Sequence, residues 1–193
     1  MKLSIILFFI LLIEFSSAQD DFIKCWQNAF KNMDSTGLDI EGWRNCVKGK
    51  HIPDFKSQTV LGKTINSKNL QGKVIVLNFW FIDCLPCIAE LPALNMLVND
   101  FKDQNVEFLA FTHDTKKRLD TAFFIKYKFD FNIFPGDSTV IKQFGEMGYP
   151  NTYIIDKSGK VKEVFIGGFA DEQVTTNVYL KAKPIIDELL KAE

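Results

Sequence analysis

A buried strand followed at once by two cysteines is the feature that most restricts the fold of this chain. Residues 74–81 form a nearly unbroken apolar run, the pattern of a strand that is covered on both faces of a sheet. Cys84 and Cys87 follow this run, at the start of a pattern that predicts a helix to about residue 99. The sequence therefore predicts a strand, a pair of cysteines and a helix in direct succession.

Strand and helix patterns alternate through the rest of the chain, over a main domain at 53–193. The alternation ends in two strands joined by the hairpin signal at 157–160 and in a last helix. It predicts an α/β fold in which helices cover a mixed sheet. Besides the elements above, we expect a small hairpin at 59–65, strands at 106–112, 131–134, 151–156 and 161–166, and helices at 115–128, 140–144 and 171–191.

Residues 1–18 have the pattern of a secretory signal peptide. A lysine near the start is followed by the apolar residues 3–13 and by small residues at 16–18, where a signal peptidase reads the chain. Glu14 interrupts the apolar run well short of the roughly 20 residues that a spanning helix needs. We therefore expect cleavage after Ala18, no stable membrane anchor, and export, to the periplasm if the source is bacterial. An uncleaved membrane anchor is the alternative.

Residues 19–52 predict a small helical extension before the main domain. Two segments with an apolar face, at 21–33 and around Trp43, carry Cys25 and Cys46. A disulfide between these cysteines would join the two helices and contribute roughly 3 kcal/mol in the chain-entropy model. Such a structural disulfide suits an extension with little core of its own. A second redox site and two free buried thiols are the alternatives.

The pair Cys84 and Cys87 has the spacing that disulfide exchange requires. At a helix start, unpaired backbone N–H groups and the helix dipole favour the thiolate, and such positions lower a cysteine pKa from about 8.5 to roughly 3.5–7.5. The first thiolate would attack a disulfide, and the more buried second cysteine would resolve the mixed disulfide. One alternative is that the two cysteines form half of a zinc site, although zinc needs four ligands. The other is an inert structural disulfide, although the small ring that it would close constrains the unfolded chain little. We expect no metal and no cofactor.

The segment 78–92 resembles the active-site segment of the TlpA/ResA group of thioredoxin-like proteins. Glu90, Pro92 and a late Pro150 accompany the two cysteines, and the resemblance extends over about 53–193. It implies a thioredoxin-like fold with a central insertion and the activity of an exported thiol-disulfide oxidoreductase, often a reductase. It also implies disulfide-bearing protein substrates and a membrane-linked thiol electron donor as partners.

The resemblance makes the first cysteine the nucleophile and the second the resolving thiol. Pro150 matches the family's cis-proline, which faces the cysteines, and the backbone of Tyr149 would pair with a substrate peptide as an added strand. A trans proline that starts a strand is the alternative. Trp80 and Gly167 complete the expected substrate-binding residues, with Gly167 and Gly168 at the border of the groove or, alternatively, in a simple turn before the last helix.

Glu90 is the third catalytic candidate. It lies one helical turn beyond Cys87 on the same face, where a partly buried carboxylate could accept the proton of that thiol. An ordinary solvated helix charge is the alternative. Asn78 stands where many thioredoxins carry a buried aspartate, and an amide cannot accept a proton, so Glu90 or water is the expected acceptor. Asp83 stands where the family often has tryptophan, and its charge opposes a thiolate although aspartate is a good helix N-cap.

The net charge and the spacing of the motifs argue against several other classes of function. The net charge of −1 offers no basic surface for nucleic acid.

A thiol peroxidase is the alternative enzyme, but neither threonine nor proline occurs in the four residues before Cys84. A measurement of peroxide consumption would separate the two activities. A copper-binding chaperone on the same fold is the non-enzymatic alternative, but it needs CxxxC spacing and a downstream histidine shell, and His113 has no second histidine near it in the sequence. The direction of electron flow is left open.

Overall fold

Helices and strands alternate along the residues that the computed structural model describes, which are 17–35, 37–145, 147–167 and 174–192. In chain order the elements are α1 (Ser17–Lys31), α2 (Ile40–Val47), β1 (Lys56–Gln58), β2 (Thr64–Asn66), a 3₁₀ turn (Ser67–Leu70), β3 (Val74–Phe79), α3 (Leu85–Phe101), β4 (Val106–Phe111), α4 (Lys116–Arg118), a π-helical turn (Leu119–Phe123), β5 (Asn132–Phe134), α5 (Ser138–Gln143), β6 (Asn151–Ile155), β7 (Val161–Ile166) and α6 (Val174–Lys191). The first expected residues of the last helix, 171–173, lie outside the described residues. Within the described ranges, no helix combines the length and the apolar character needed to cross a membrane.

The main sheet has the strand order β5-β4-β3-β6-β7, with β3 in the middle. β3 is parallel to β4 and antiparallel to β6, and all of its residues are buried. β4 is parallel to β5, and β6 and β7 form the antiparallel hairpin. The mixed sheet expected from the sequence is therefore confirmed. The small hairpin expected at 59–65 also forms, from β1 and β2, which lie at its two ends.

Side chains of β3 alternate between two hydrophobic clusters, one on each face of the sheet. Ile75, Leu77 and Phe79 belong to the cluster that also holds the N-terminal helices. Val74 and Val76 belong to the cluster beneath α3 and α6. Because both faces are covered, the strand needs apolar residues at nearly every position, which explains the unbroken run in the sequence.

The N-terminal helices cover the face of the sheet opposite α3. Phe22 of α1 and Trp43 of α2 are fully buried there, and their rings lie 6.3 and 6.0 Å from the ring of Tyr153, centroid to centroid. A disulfide joins Cys25 and Cys46, whose Cα atoms are 5.6 Å apart, so the expected pairing is confirmed. The extension thus shares the core of the main sheet.

The helix expected at 115–128 is much shorter in the structure. The single turn of α4 leads into the π-helical turn, in which the backbone N–H of Phe124 donates a 3.0 Å hydrogen bond to the carbonyl of Leu119. Leu119 and Phe123 are both fully buried, and the ring of Phe123 lies 4.5 Å from that of Trp80. Tertiary packing of these apolar side chains therefore overrides the local helix pattern.

Candidate active site

Cys84 and Cys87 lie where β3 passes into α3. A disulfide joins them, with their Cα atoms 5.2 Å apart. Cys84 is the N-cap of α3, and its Sγ accepts a 3.2 Å hydrogen bond from the backbone N–H of Cys87. Cys84 is 6% exposed and Cys87 is 2% exposed, whereas Leu85 between them is 74% exposed. The first cysteine is thus the more accessible of the two, as its expected role as the nucleophile requires.

Pro150 lies directly before β6, at the same end of the sheet as the cysteines. The register pairs Phe79, the last residue of β3, with Asn151, the first residue of β6. The peptide bond between Tyr149 and Pro150 is cis, so the expectation from the resemblance is confirmed. The tyrosine and the proline therefore lie at the sheet edge from which the chain runs on to Cys84.

Gly167 follows β7 and packs against the ring of Pro150. Its backbone N–H donates a 2.8 Å hydrogen bond to the carbonyl of Pro150. A Cβ atom at this position would lie 2.3 Å from Cγ and 2.6 Å from Cδ of Pro150, and 3.2 Å from a carboxyl oxygen of Glu90. Three of the candidate residues therefore meet at one place, and glycine permits their close approach. Gly168 lies outside the described residues.

We expect Gly167→Ala to lower the free energy of unfolding by about 2 kcal/mol, because overpacking a filled site has a cost of this order. Urea unfolding measures the change. A Gly167→Ala protein that is as stable as the unmodified protein would contradict this prediction.

Glu90 is buried beside Pro150 and Gly167. Its side chain is 5% exposed, and burial raises the pKa of its carboxyl to about 7. Desolvation is the cause, and no charge or hydrogen bond among the described residues opposes it. The alternative of an ordinary solvated helix charge is therefore wrong. A carboxyl that exchanges its proton near neutral pH has the property needed to accept the Cys87 proton, and that role stays a prediction.

Asn78 joins two strands beneath this site. It is buried in β3, and its side-chain amide donates a 2.9 Å hydrogen bond to the hydroxyl of Thr152 in β6. The amide offers no group that could take up a proton from a thiol. Glu90 is thus the buried carboxyl in the part of α3 that follows the cysteines.

Trp80 was expected to contact substrate, and the structure shows that this expectation is wrong. Its side chain is 0% exposed. The ring lies 4.5 Å from that of Phe123 and 5.5 Å from that of Phe129, centroid to centroid. The physical reason is the alternation of β3, which continues into the following loop and directs Trp80 into the cluster beneath α3.

Phe81, His113 and Tyr149 form an aromatic rim at the same edge of the sheet. The ring of Phe81 lies 5.1 Å from His113 and 5.1 Å from Tyr149, and the last two rings are 5.9 Å apart. All three side chains are at least partly exposed. Sequence reasoning missed Phe81 and His113 as site residues. The available signal was that Phe81 ends one strand predicted to be buried and His113 directly follows another, and neighbouring parallel strands end at the same edge of a sheet.

The chain is similar in sequence to known thiol-disulfide oxidoreductases. The AhpC/TSA family model matches residues 48–164, more than half of the chain. The thiol-disulfide oxidoreductase ResA of Bacillus thuringiensis (strain Al Hakam) is 37% identical over 128 residues, which cover 65% of this chain and 73% of that protein. The chain belongs to the ResA-type thioredoxin-like proteins of the AhpC/TSA family. The thioredoxin-like protein YneN of Bacillus subtilis (strain 168) is 30% identical over 129 residues, 66% of this chain and 76% of that protein.

Solved structures agree with the fold of this ResA-type protein. A thiol:disulfide interchange protein of the thioredoxin family from Chlorobium tepidum TLS matches with a TM-score of 0.61 at 21% identity, over 74% of this chain and 97% of that chain. A secreted disulfide oxidoreductase of Mycobacterium tuberculosis matches with a TM-score of 0.58 at 20% identity, over 67% of this chain and 95% of that chain. The expected thioredoxin-like α/β fold is confirmed. With the named relatives, the expectation of a thiol-disulfide oxidoreductase is confirmed as well.

Arg118 is a further residue near the cysteines that sequence reasoning missed in this ResA-type protein. Its guanidinium pairs with Asp83 at 2.5 Å and also with the buried Asp114. The hydrogen bond to Asp83 and the charge of Asp114 raise the pKa of Arg118. The carboxylate beside Cys84 is thus compensated by a positive charge from another part of the chain.

The second disulfide of this ResA-type protein lies on the other side of the sheet. Cys25 belongs to the cluster that holds the N-terminal helices, and its partner Cys46 packs against that cluster. Cys84 and Cys87 belong to the cluster beneath α3. Because the sheet separates the two pairs, the structural role expected for the first is favoured over direct electron exchange with the second.

Proposed function

We propose that this ResA-type oxidoreductase is exported and reduces disulfide bonds of other exported proteins through Cys84 and Cys87. The observation that carries the proposal is the disulfide between Cys84 and Cys87 at the start of α3. Its first cysteine is hydrogen-bonded to a residue of the aromatic rim, where a client polypeptide could bind. The backbone N–H of Cys84 donates a 3.2 Å hydrogen bond to the carbonyl of Phe81, whose ring contacts Tyr149. The relatives named as thiol-disulfide oxidoreductases support the chemistry, and the signal-peptide pattern of 1–18 supports export.

The reaction consists of two exchanges. In the reduced protein, the thiolate of Cys84 attacks one sulfur of the client disulfide, so that a bond between Cys84 and the client forms and the client bond breaks. The other client sulfur leaves as a thiolate and takes up a proton. Cys87 then gives its proton to Glu90 or water and attacks the sulfur of Cys84, which releases the second client thiol. Two electrons pass to the client, and a membrane-linked thiol donor returns them to the pair.

The client would bind at the edge formed by Tyr149, Pro150 and Gly167. An extended segment that adds to this edge through the backbone of Tyr149 brings its disulfide toward the cysteines. The partly exposed rings of the aromatic rim, together with the exposed Leu85, would cover the apolar neighbours of the client cysteine. Such contacts suit a polypeptide rather than a small polar disulfide.

The reduction potential of the couple Cys84/Cys87 tests the direction of electron flow. We expect a value near −250 mV or below, measured by equilibration with dithiol buffers and quantification of free thiols. The double variant Cys25→Ser, Cys46→Ser is the control and should show the same potential, because it leaves the active pair intact. A potential near −120 mV would indicate an oxidase and would contradict the proposal, since a difference of this size corresponds to about 10⁴ in the exchange equilibrium.

A further inference from the structure

A charged cluster holds the loop between β3 and α3, and we call it the Arg118 clamp, formed by Asp83, Asp114 and Arg118. Asp114 is 3% exposed and accepts hydrogen bonds of 2.7 Å from the backbone N–H of Ile82 and 3.1 Å from the hydroxyl of Thr112. One arm of the Arg118 guanidinium donates to Asp114, and the other donates to Asp83 at 2.5 Å. Two consecutive residues of the loop, Ile82 and Asp83, are thereby tied to the end of β4 and to α4.

The position of Arg118 is set by its own helix. The hydroxyl of Thr115, the N-cap of α4, accepts a 3.3 Å hydrogen bond from the backbone N–H of Arg118. Asp114 directly precedes this cap and is oriented by its bonds to Ile82 and Thr112. The guanidinium therefore reaches the loop from a preorganised turn, in the planar two-armed geometry that suits paired carboxylates.

The clamp has a consequence for the neighbouring cysteine. Asp83 directly precedes Cys84. An uncompensated carboxylate on the neighbouring residue disfavours a negative charge on the cysteine sulfur. The guanidinium of Arg118 supplies the opposite charge. Asp83 can therefore stay in the loop without suppressing the thiolate that attacks the client.

We propose that Arg118 is a positioning residue of this oxidoreductase. It offsets the charge of Asp83 and ties the loop before Cys84 to Asp114, so that the thiolate of Cys84 is available near neutral pH. The inference rests on the proposed role of Cys84 as the nucleophile. Arg118 acts through Asp83, without contact to the client.

Alkylation of Cys84 by iodoacetamide, followed from acidic to alkaline pH, tests the proposal. Every variant carries Cys87→Ser and keeps the disulfide between Cys25 and Cys46, so that Cys84 is the reacting thiol. We expect Arg118→Ala to shift the midpoint of the rate profile to higher pH and to slow alkylation below the midpoint by about 3- to 5-fold, the effect of losing one solvent-screened charge near the thiolate. The other titratable groups near the loop, Asp83, Asp114, Glu90 and His113, are unchanged in Arg118→Ala.

Two rescue variants separate charge compensation from a merely structural role. Asp83→Asn in the Arg118→Ala background should restore a large part of the profile, because the carboxylate directly before Cys84 is then gone, while Asp114 still lacks the arginine. Arg118→Lys should restore most of it, because the positive charge is kept. The difference in the alkylation midpoint between the Arg118→Ala protein and the protein that keeps Arg118 should also shrink as the salt concentration is raised, because salt screens the charge.

Lys116→Ala is the matched control, because it removes one positive charge from the same helix, where Lys116 pairs with Asp120 at 3.2 Å. We expect it to leave the alkylation profile unchanged. The proposal is overturned if Arg118→Ala leaves the profile in place, if Lys116→Ala shifts it equally, or if Asp83→Asn in the Arg118→Ala background restores none of it. Failure of the unmodified protein to reduce a client would overturn the proposed function alone, since alkylation involves no client.

Discussion

Replacing Cys84 by serine is expected to lower the rate of insulin reduction by about 10³-fold or more. A serine hydroxyl does not ionise near neutral pH and cannot form a disulfide, so the first exchange loses its nucleophile. The rate is measured from the turbidity of the precipitating insulin B chain, with dithiothreitol as the electron donor. Cys84→Ser protein that reduces insulin as fast as the unmodified protein would falsify the proposed mechanism.

The matched control for this experiment removes two other cysteines. The double variant Cys25→Ser, Cys46→Ser should keep its insulin-reducing activity at temperatures where it is folded, because its disulfide lies on the opposite face of the sheet. Cys87→Ser should behave differently from both. It retains the nucleophile but blocks the second exchange, so a mixed disulfide between Cys84 and the client should accumulate on a non-reducing gel.

Glu90→Gln is expected to stabilise the protein at neutral and alkaline pH. The folded-state pKa of about 7 lies above the ordinary value of 4.5, so between these values the folded protein holds a proton that the unfolded chain releases. The contribution of Glu90 to stability is therefore highest below about pH 4.5 and falls as the pH rises to about 7, by up to about 3 kcal/mol. A glutamine cannot titrate, and the variant should lack this decrease.

Urea unfolding at a series of pH values measures the effect of Glu90→Gln. Glu188→Gln is the control, because Glu188 is an exposed glutamate of α6 and its loss should leave the pH dependence of unfolding in place. Parallel stability curves for Glu90→Gln and the unmodified protein would contradict the prediction. If Glu90 accepts the Cys87 proton, the same variant should also slow the second exchange while the first keeps its rate.

A buried carboxyl without a described partner lowers stability, and this is informative about function. Core positions are normally filled by apolar groups or by paired polar ones. Glu90 is neither, and it lies against Pro150 and Gly167 at the edge where the client is proposed to bind. A group that destabilises the fold and titrates near neutral pH at such a place fits a proton-transfer role better than a structural one.

Local patterns were sufficient for the strand, the cysteine pair and the helix that follows it. Each depends on residues that are neighbours in the chain: an apolar run for β3, the two-residue spacing of the cysteines, and the apolar periodicity of α3. The cis bond before Pro150 came from the resemblance, since no local pattern distinguishes it from a trans bond. The same reasoning failed for the helix expected at 115–128, where burial of Phe123 against Trp80 replaced regular helix by a π-helical turn.

The partners of the active-site loop were decided by tertiary structure alone. Arg118 meets Asp83, 35 residues earlier in the chain, because the parallel pairing of β3 and β4 brings their following loops together. The burial of Trp80 and the desolvation of Glu90 likewise depend on which elements cover them. Periodicity reports which face of an element is buried, but it carries no information about which distant side chain completes the contact. The reactive pair could therefore be found in the sequence, whereas the groups proposed to tune it became visible only once the sheet was assembled.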